Sequence, residues 1–156
     1  PSPLGMCIKN GIIYGDYMTS YSVMAVKKDG TIYTPAQGLM GKNLLAAGVK
    51  DTYNFGPILI KDGEAQLPWA ETEKYYPRTA VGMVKPNDYV LLVTDTGSYN
   101  GLNHWDMVNI FKSYGCTYAY NLDGGGSATL YFNGKVMNKL IGNTQRPCAD
   151  FLYFTR

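Results

Sequence analysis

The sequence predicts an α+β domain, a twisted, mostly antiparallel β-sheet carrying one main helix. Three observations lead there. Four segments place an Asn-Gly or Asp-Gly dipeptide between two short apolar runs. Eighteen Gly and eight Pro are scattered along the 156 residues rather than clustered. Only one stretch, residues 103–115, reads clearly with helical periodicity. Asn-Gly and Asp-Gly tolerate the positive φ angles of a type I′ turn, whose twist matches the strands it joins. Scattered Gly and Pro mark the frequent turns that a fold of short strands needs.

Taken in order, residues 6–14 form a hairpin around Asn10-Gly11, and residues 25–33 another around Asp29-Gly30. A short helix is expected over residues 43–47. Residues 58–64 turn at Asp62-Gly63. Strands follow at 78–84 and 89–94, joined through Lys85-Pro86-Asn87-Asp88. Asn103 is the N-cap of the main helix, with Asp106 three residues on and Gly115 at its end. Met107, Ile110, Phe111 and Tyr114 fall at i, i+3, i+4 and i+7 and predict the face that packs on the sheet. A strand at 117–122, a hairpin at 130–137 around Asn133-Gly134, and a last strand at 149–154 complete the set. No linker or compositional break divides residues 1–156, which read as one domain.

Composition removes several classes of function. With 46% hydrophobic and 17% charged residues the chain has a core to bury and is not a disordered polyelectrolyte. Fourteen basic and twelve acidic residues leave a net charge of +2, and no basic run exceeds Lys27-Lys28, so there is no nucleic-acid footprint. No apolar stretch approaches the roughly 18 residues of a membrane span. Cys7, Cys116 and Cys148 show no CxxC spacing, and the lone His104 cannot complete a zinc site. One disulfide with a spare thiol and three buried thiols both fit.

The sharpest local feature is Asn121-Leu122-Asp123-Gly124-Gly125-Gly126-Ser127-Ala128-Thr129, set between two strands. Three consecutive glycines clear the side chains from a turn, so another group can approach the backbone. Their N–H groups can converge on an anion, with Asp123, Ser127 and Thr129 as polar neighbours. It is not a P-loop, since no Gly-Lys-Ser/Thr follows. A flexible hairpin loop with a turn-forming Asp is the plainer alternative.

That nine-residue block resembles the signature of the phosphodiester glycosidase family. Further blocks resemble the family in the same order along the chain: Pro77-Arg78-Thr79-Ala80-Val81-Gly82, Leu92-Val93-Thr94-Asp95, Gly101-Leu102-Asn103-His104-Trp105-Asp106-Met107 and Asn133-Gly134-Lys135. Asn54-Phe55-Gly56-Pro57-Ile58-Leu59 and residues 4–11 resemble its earlier strands. The resemblance implies hydrolysis that frees a sugar from a phosphomonoester. It also implies an extracellular or cell-envelope setting and a sugar-phosphate small molecule or glycopolymer as ligand. The family's Asn-Gly-x-Phe-Phe segment is not found ahead of Pro3. The expectation is therefore that an N-terminal piece is supplied separately, by a cleaved chain or a second copy. That piece would cover the edge of the first strand, residues 4–9, and bring aromatic residues toward the glycine loop.

The chemistry of such a substrate selects the residues. A sugar 1-phosphodiester expels a phosphate monoester with a second pKa of about 6. Such a group leaves without the general acid an ordinary glycoside needs, but it asks for cationic and N–H stabilisation. A carboxylate near the anomeric carbon then serves as base or nucleophile. Asp123, Asp95 and Arg78 are the catalytic candidates. Asn121, Gly124, Gly125, Gly126, Ser127, Thr129 and Arg146 are the substrate-binding candidates. Each has a duller reading: Asp95 as an Asx-turn residue before Thr96-Gly97, Arg78 and Arg146 as structural or surface arginines, Asn121 as a backbone partner. His104 is a weaker candidate base, and Trp69, Trp105 and the tyrosines are stacking surfaces or core. No cofactor is required and no metal ligands stand out, though a structural calcium or magnesium ion is compatible. A silent carbohydrate-binding domain and a phosphodiesterase cutting the P–O bond are the rival functions. The glycine loop is expected to line the main cleft, with Asp123 and Arg78 converging on it.

Overall fold

The computed structural model describes residues 4–17, 19–66, 74–95 and 100–155. All five predicted turns form hairpins. Strands β1 (Cys7–Lys9) and β2 (Ile12–Gly15) pair across Asn10 and Gly11, both at positive φ. Strand β3 (Ser22–Lys27) pairs with β4 (Ile32–Tyr33), and Asp29 Oδ1 accepts the Thr31 N–H at 2.9 Å to close the turn. Helix α1 (Gly41–Ala46) begins where Gly41 N–H donates to Asp16 Oδ1 at 2.7 Å, two positions before the predicted start. Strand β5 (Val49–Phe55), which the hairpin pattern did not reveal, pairs antiparallel with β3 along its whole length.

After the Gly56–Pro57 corner come β6 (Ile58–Lys61), β7 (Glu64–Ala65), β8 (Thr79–Lys85) and β9 (Asp88–Val93). Helix α2 (His104–Ser113) leads to β10 (Tyr118–Leu122), a 3₁₀ turn at Gly125–Ser127, and the hairpin of β11 (Tyr131–Phe132) and β12 (Lys135–Val136). One antiparallel sheet runs β4-β3-β5 and a second runs β7-β6-β10-β8-β9. The antiparallel set with one main helix is thus as predicted, now resolved into two principal sheets.

Side-chain alternation stacks these elements in four layers. Along β8, Ala80 faces α2 and Val81 and Met83 face the other sheet; along β10, Ala119 faces α2 and Tyr118 and Tyr120 face the other sheet. Met24, Ile32 and Tyr53 complete the inter-sheet core. Met6, Ile8, Ala25, Leu44 and Val49 pack β1 and α1 on the far face of the smaller sheet. Tyr120 ties the two sheets together: its hydroxyl accepts the Phe55 N–H at 2.8 Å and donates to Ser22 O at 2.5 Å.

Asn103 caps α2 as expected, its Oδ1 accepting the Asp106 N–H at 2.8 Å. The buried face differs from the predicted stripe. It is His104, Met107, Val108 and Phe111, while Ile110 is half-buried and Tyr114 exposed. Tyr114 is already the C-cap, so it falls off the helix, and Val108 takes the place beside Met107. Fully buried Phe111 and Met107 each contribute about 2 kcal/mol through apolar burial. Gly82 makes room for them, since a Cβ there would lie 2.5 Å from Phe111 Cδ1 and 2.7 Å from Cys116 Sγ.

Three further expectations are corrected. Residues 149–154 form no strand; Phe151 and Tyr153 are exposed, and only Leu152 packs into the inter-sheet core. An alternating segment with one anchoring side chain has no ladder partner to hold it. Strand β1 is not a bare edge either. Ile8 N–H donates to Thr52 Oγ1 (2.8 Å), Asn10 N–H to Asp51 Oδ1 (2.9 Å) and Gly11 N–H to Lys50 O (2.8 Å), so β5 satisfies its outer side. All three cysteines are thiols, Cys7 and Cys116 buried but Cys148 exposed, which matches neither cysteine reading in full. Among the described residues no helix is long and apolar enough to cross a membrane.

Candidate functional site

Strand register gathers the three predicted catalytic residues at one end of the larger sheet. Thr79 of β8 pairs with Leu122 of β10 on one side and Val93 of β9 on the other. One residue further, Thr94 N–H donates to Arg78 O (2.9 Å) and Arg78 N–H to Thr94 Oγ1 (3.0 Å). Arg78, Asp123 and Asp95 therefore stand at neighbouring strand ends, although they lie far apart in sequence.

The glycine loop folds back over this end. Gly125 N–H donates to Pro77 O at 2.8 Å, and Ser127 N–H to Gly124 O at 2.9 Å, forming the 3₁₀ turn. A Cβ on Gly124 would run into the Pro77 carbonyl oxygen and sit 3.4 Å from Arg78 Cα. Glycine is needed there because the loop lies directly on the Pro77-Arg78 backbone. The same contact uses the Gly125 amide, so the three glycine N–H groups do not all face one anion as the sequence suggests.

Side chains on the loop make a compact polar group. Asp123 Oδ2 accepts a hydrogen bond from Ser127 Oγ at 2.8 Å and faces Arg146 Nη1 at 3.9 Å. The Arg146 stem passes over the loop, its Cδ 3.5 Å from the position a Gly126 Cβ would take. Both ends of the ion pair are about half exposed, 50% for Asp123 and 58% for Arg146, so a solute can reach them. Thr129 lies half-buried just beyond the turn.

The other candidates take different positions. Arg78 Nε donates to Leu102 O (3.1 Å) and Nη2 to Lys74 O (2.9 Å), and its guanidinium lies 5.4 Å from the Tyr76 ring centre. Its backbone meets the glycine loop while its charge is held by the segments on either side of the sheet end. Asp95 Oδ2 accepts the Lys139 N–H at 2.8 Å and pins the chain that follows β12; the Thr96-Gly97 turn proposed beside it lies outside the described residues. Asn121, expected to bind substrate, is 1% exposed. Its Nδ2 donates to Gly56 O (2.8 Å), and its main chain exchanges bonds with Gly56 and Pro57, so it fixes the β5–β6 corner from below. His104 is buried in the α2 face, Trp105 is exposed, and Trp69 lies outside the described residues.

Asn138 was not singled out by sequence, yet it holds the loop's far side. Leu130 N–H donates to its Oδ1 (2.7 Å), and its Nδ2 donates to Ala128 O (2.8 Å). No local pattern announces such a clamp, because both of its partners are backbone atoms eight to ten residues away. Tyr76, exposed beside Arg78, is a second omission, and its place next to the Pro77-Arg78 block was the available signal. A cleft of about 900 Å³ lies against the 149–155 segment, and the glycine loop is not among the residues that line it. Among the described residues no three His, Cys, Asp or Glu side chains gather into a metal-binding group.

The layered α+β scaffold thus brings a carboxylate and a hydroxyl of the glycine loop beside the guanidinium of Arg146. The chain belongs to the phosphodiester glycosidase family, whose sequence model matches residues 1–155. It is 31% identical over 160 positions to the SPbeta prophage-derived uncharacterized protein YomE of Bacillus subtilis, covering 96% of this chain and 25% of that protein. It is 43% identical over 153 positions to N-acetylglucosamine-1-phosphodiester alpha-N-acetylglucosaminidase of Bos taurus, covering 83% of this chain and 29% of the enzyme. The chain thus spans between a quarter and a third of these relatives' length. In structure it resembles the zebrafish N-acetylglucosamine-1-phosphodiester alpha-N-acetylglucosaminidase catalytic domain, auto-inhibited by its pro-peptide. The TM-score is 0.72 at 24% identity, over 88% of this chain and 50% of the other, a likeness of fold.

Proposed function

We propose that this chain hydrolyses a sugar 1-phosphodiester, releasing the sugar from a phosphomonoester. The observation that supports this reading is the accessible Asp123–Ser127–Arg146 group on the glycine loop. A guanidinium presents paired donors to phosphate oxygens. Arg146 is therefore the group that receives the leaving phosphate, while Asp123 acts at the anomeric carbon as nucleophile or general base. Ser127 holds one carboxylate oxygen, which orients the other. Arg78, fixed by the Leu102 and Lys74 carbonyls, adds positive potential at the same sheet end. Tyr76 offers a ring beside it for the sugar. Asp95, by pinning Lys139, sets the position of the segment leading to Arg146.

The relatives named for activity on an N-acetylglucosamine phosphodiester make an N-acetylhexosamine 1-phosphodiester the first substrate to try. The same proposal places the protein outside the cell or in its envelope, without a catalytic cofactor. It includes a separate polypeptide segment or second copy near the site. The deciding experiment is hydrolysis of an aryl-phosphoryl N-acetylglucosamine in oxygen-18 water. Label in the sugar's C1 hydroxyl and none in the phosphate is the expected result. Label in the phosphate would mean P–O cleavage, and sugar-phosphate binding without turnover would mean a silent binding domain.

A further inference from the structure

The cleft of about 900 Å³ lies at the other end of the sandwich from the glycine loop. Tyr89, on its wall, pairs with Met83 of β8, five residues along the strand from Arg78. At roughly 3.3 Å per residue that separates it from the candidate catalytic end by about 17 Å. Its volume is in the range of ligand-binding clefts, about 300–1,000 Å³. Two kinds of side chain dominate it. Phe151 and Tyr153, 77% and 61% exposed, stand with ring centres 5.9 Å apart, and the Tyr89 and Phe154 rings follow at 5.2 Å. Four lysines line the same space. Lys9 is paired with Asp150 at 2.7 Å and Lys50 faces Asp51 at 3.7 Å, whereas Lys27 and Lys28 enter no ion pair among the described residues.

What sets Phe151 and Tyr153 apart from other exposed rings is that they share one cleft with four lysines, which pairs flat apolar faces with positive charge. The strap that carries them is tethered: Tyr53 Oη donates to Phe151 O (3.5 Å), Lys9 holds Asp150, and Leu152 is packed. The rings are therefore held in place before any ligand arrives, which lowers the ordering cost of binding. The geometry points to a second binding site here, for an anionic polysaccharide whose sugar faces stack on Phe151 and Tyr153 while its acidic groups meet Lys27 and Lys28. This deepens the hydrolase reading by making the substrate a charged glycan polymer, gripped about 17 Å from the bond that is cut. It rests on that reading for the substrate class alone.

The test is equilibrium binding of the chain to three probes: dextran sulfate, neutral dextran of equal length, and inorganic polyphosphate of matched charge. Dextran sulfate is expected to bind about tenfold or more tighter than either of the others. Lys27→Gln with Lys28→Gln, and separately Phe151→Ala with Tyr153→Ala, should each weaken dextran sulfate by about fivefold or more. Hydrolysis of the small aryl-phosphoryl sugar should be unchanged in both variants. Polyphosphate binding as tightly as dextran sulfate, or aromatic variants that bind like the parent, would overturn the inference in favour of general charge attraction. Circular dichroism verifies folding, and all four side chains are replaced at partly or fully exposed positions. Absence of small-substrate hydrolysis in the parent would refute the proposed function and leave the binding result standing on its own.

Discussion

Replacing Asp123 by Asn separates the chemical reading of the glycine loop from the structural one. The substitution keeps the side chain's shape and an oxygen to accept the Ser127 hydroxyl, now 2.8 Å away. What it removes is the charge facing Arg146 at 3.9 Å. Both groups are about half exposed, so that pair is worth about 0–1 kcal/mol after screening by water. For a chain of this length the melting temperature should fall by less than about 4 °C. If Asp123 is the nucleophile or base, the loss in turnover is about 10² to 10⁴-fold. That corresponds to about 3 to 5 kcal/mol of barrier, several times the effect on stability. The assay is release of N-acetylglucosamine from its aryl-phosphoryl derivative, run beside thermal unfolding of the same preparation. A variant with at least a third of parental turnover would remove Asp123 from the chemistry. A large drop in melting temperature matching the loss of activity would identify it as a turn residue.

Two other outcomes follow from the core. Burial pushes the hydroxyls of Tyr53, Tyr118 and Tyr120 well above the ordinary tyrosine value of 10.0. Their folded pKa is raised, so their contribution is fully present below pH 10 and is lost as pH rises, by about 1.4 kcal/mol per unit each and about 4 together. Circular dichroism should show cooperative unfolding between pH 10 and 12 coinciding with a second wave of tyrosinate absorbance; one wave near pH 10 with unchanged ellipticity would contradict the burial. Gly82→Ala forces a methyl against Phe111 and Cys116 and should destabilise the protein by about 1–3 kcal/mol in urea. An unchanged midpoint would show that α2 is not seated on β8 as described.

How much could be read in advance depended on whether the information was local. The turns at Asn10-Gly11, Asp62-Gly63 and Asn133-Gly134 and the cap at Asn103 are written into two to four adjacent residues, and they form where expected. Strand β5 escaped because Lys50 and Asp51 interrupt its apolar pattern, while Thr52 and Tyr53 are buried side by side. The stripe on α2 was misplaced because Val108 and Ile110 are equally apolar in sequence, and only the position of the sheet decides between them. In the site, juxtaposition of Arg78 with the glycine loop followed from strand order. The pairing of Asp123 with Arg146, the engagement of Asp95 by Lys139 and the burial of Asn121 depend on where an irregular segment returns, which no local spacing encodes.

Asn138 closes the excursion of β11 and β12 at its base, joining Ala128 and Leu130 through one side chain. Everything beyond that clasp, including exposed Tyr131 and Phe132, hangs from a stem that is already shut. Such an architecture makes the hairpin a cassette. Its tip can be lengthened, shortened or exchanged at a small closure entropy, rising only by about 0.6 kcal/mol for each doubling of length. The geometry of Asp123, Ser127 and Arg146 is set on the near side of the clasp and on the irregular segment that returns after it. Variation in the tip therefore offers a way to change what the surface touches without rebuilding the chemistry behind it.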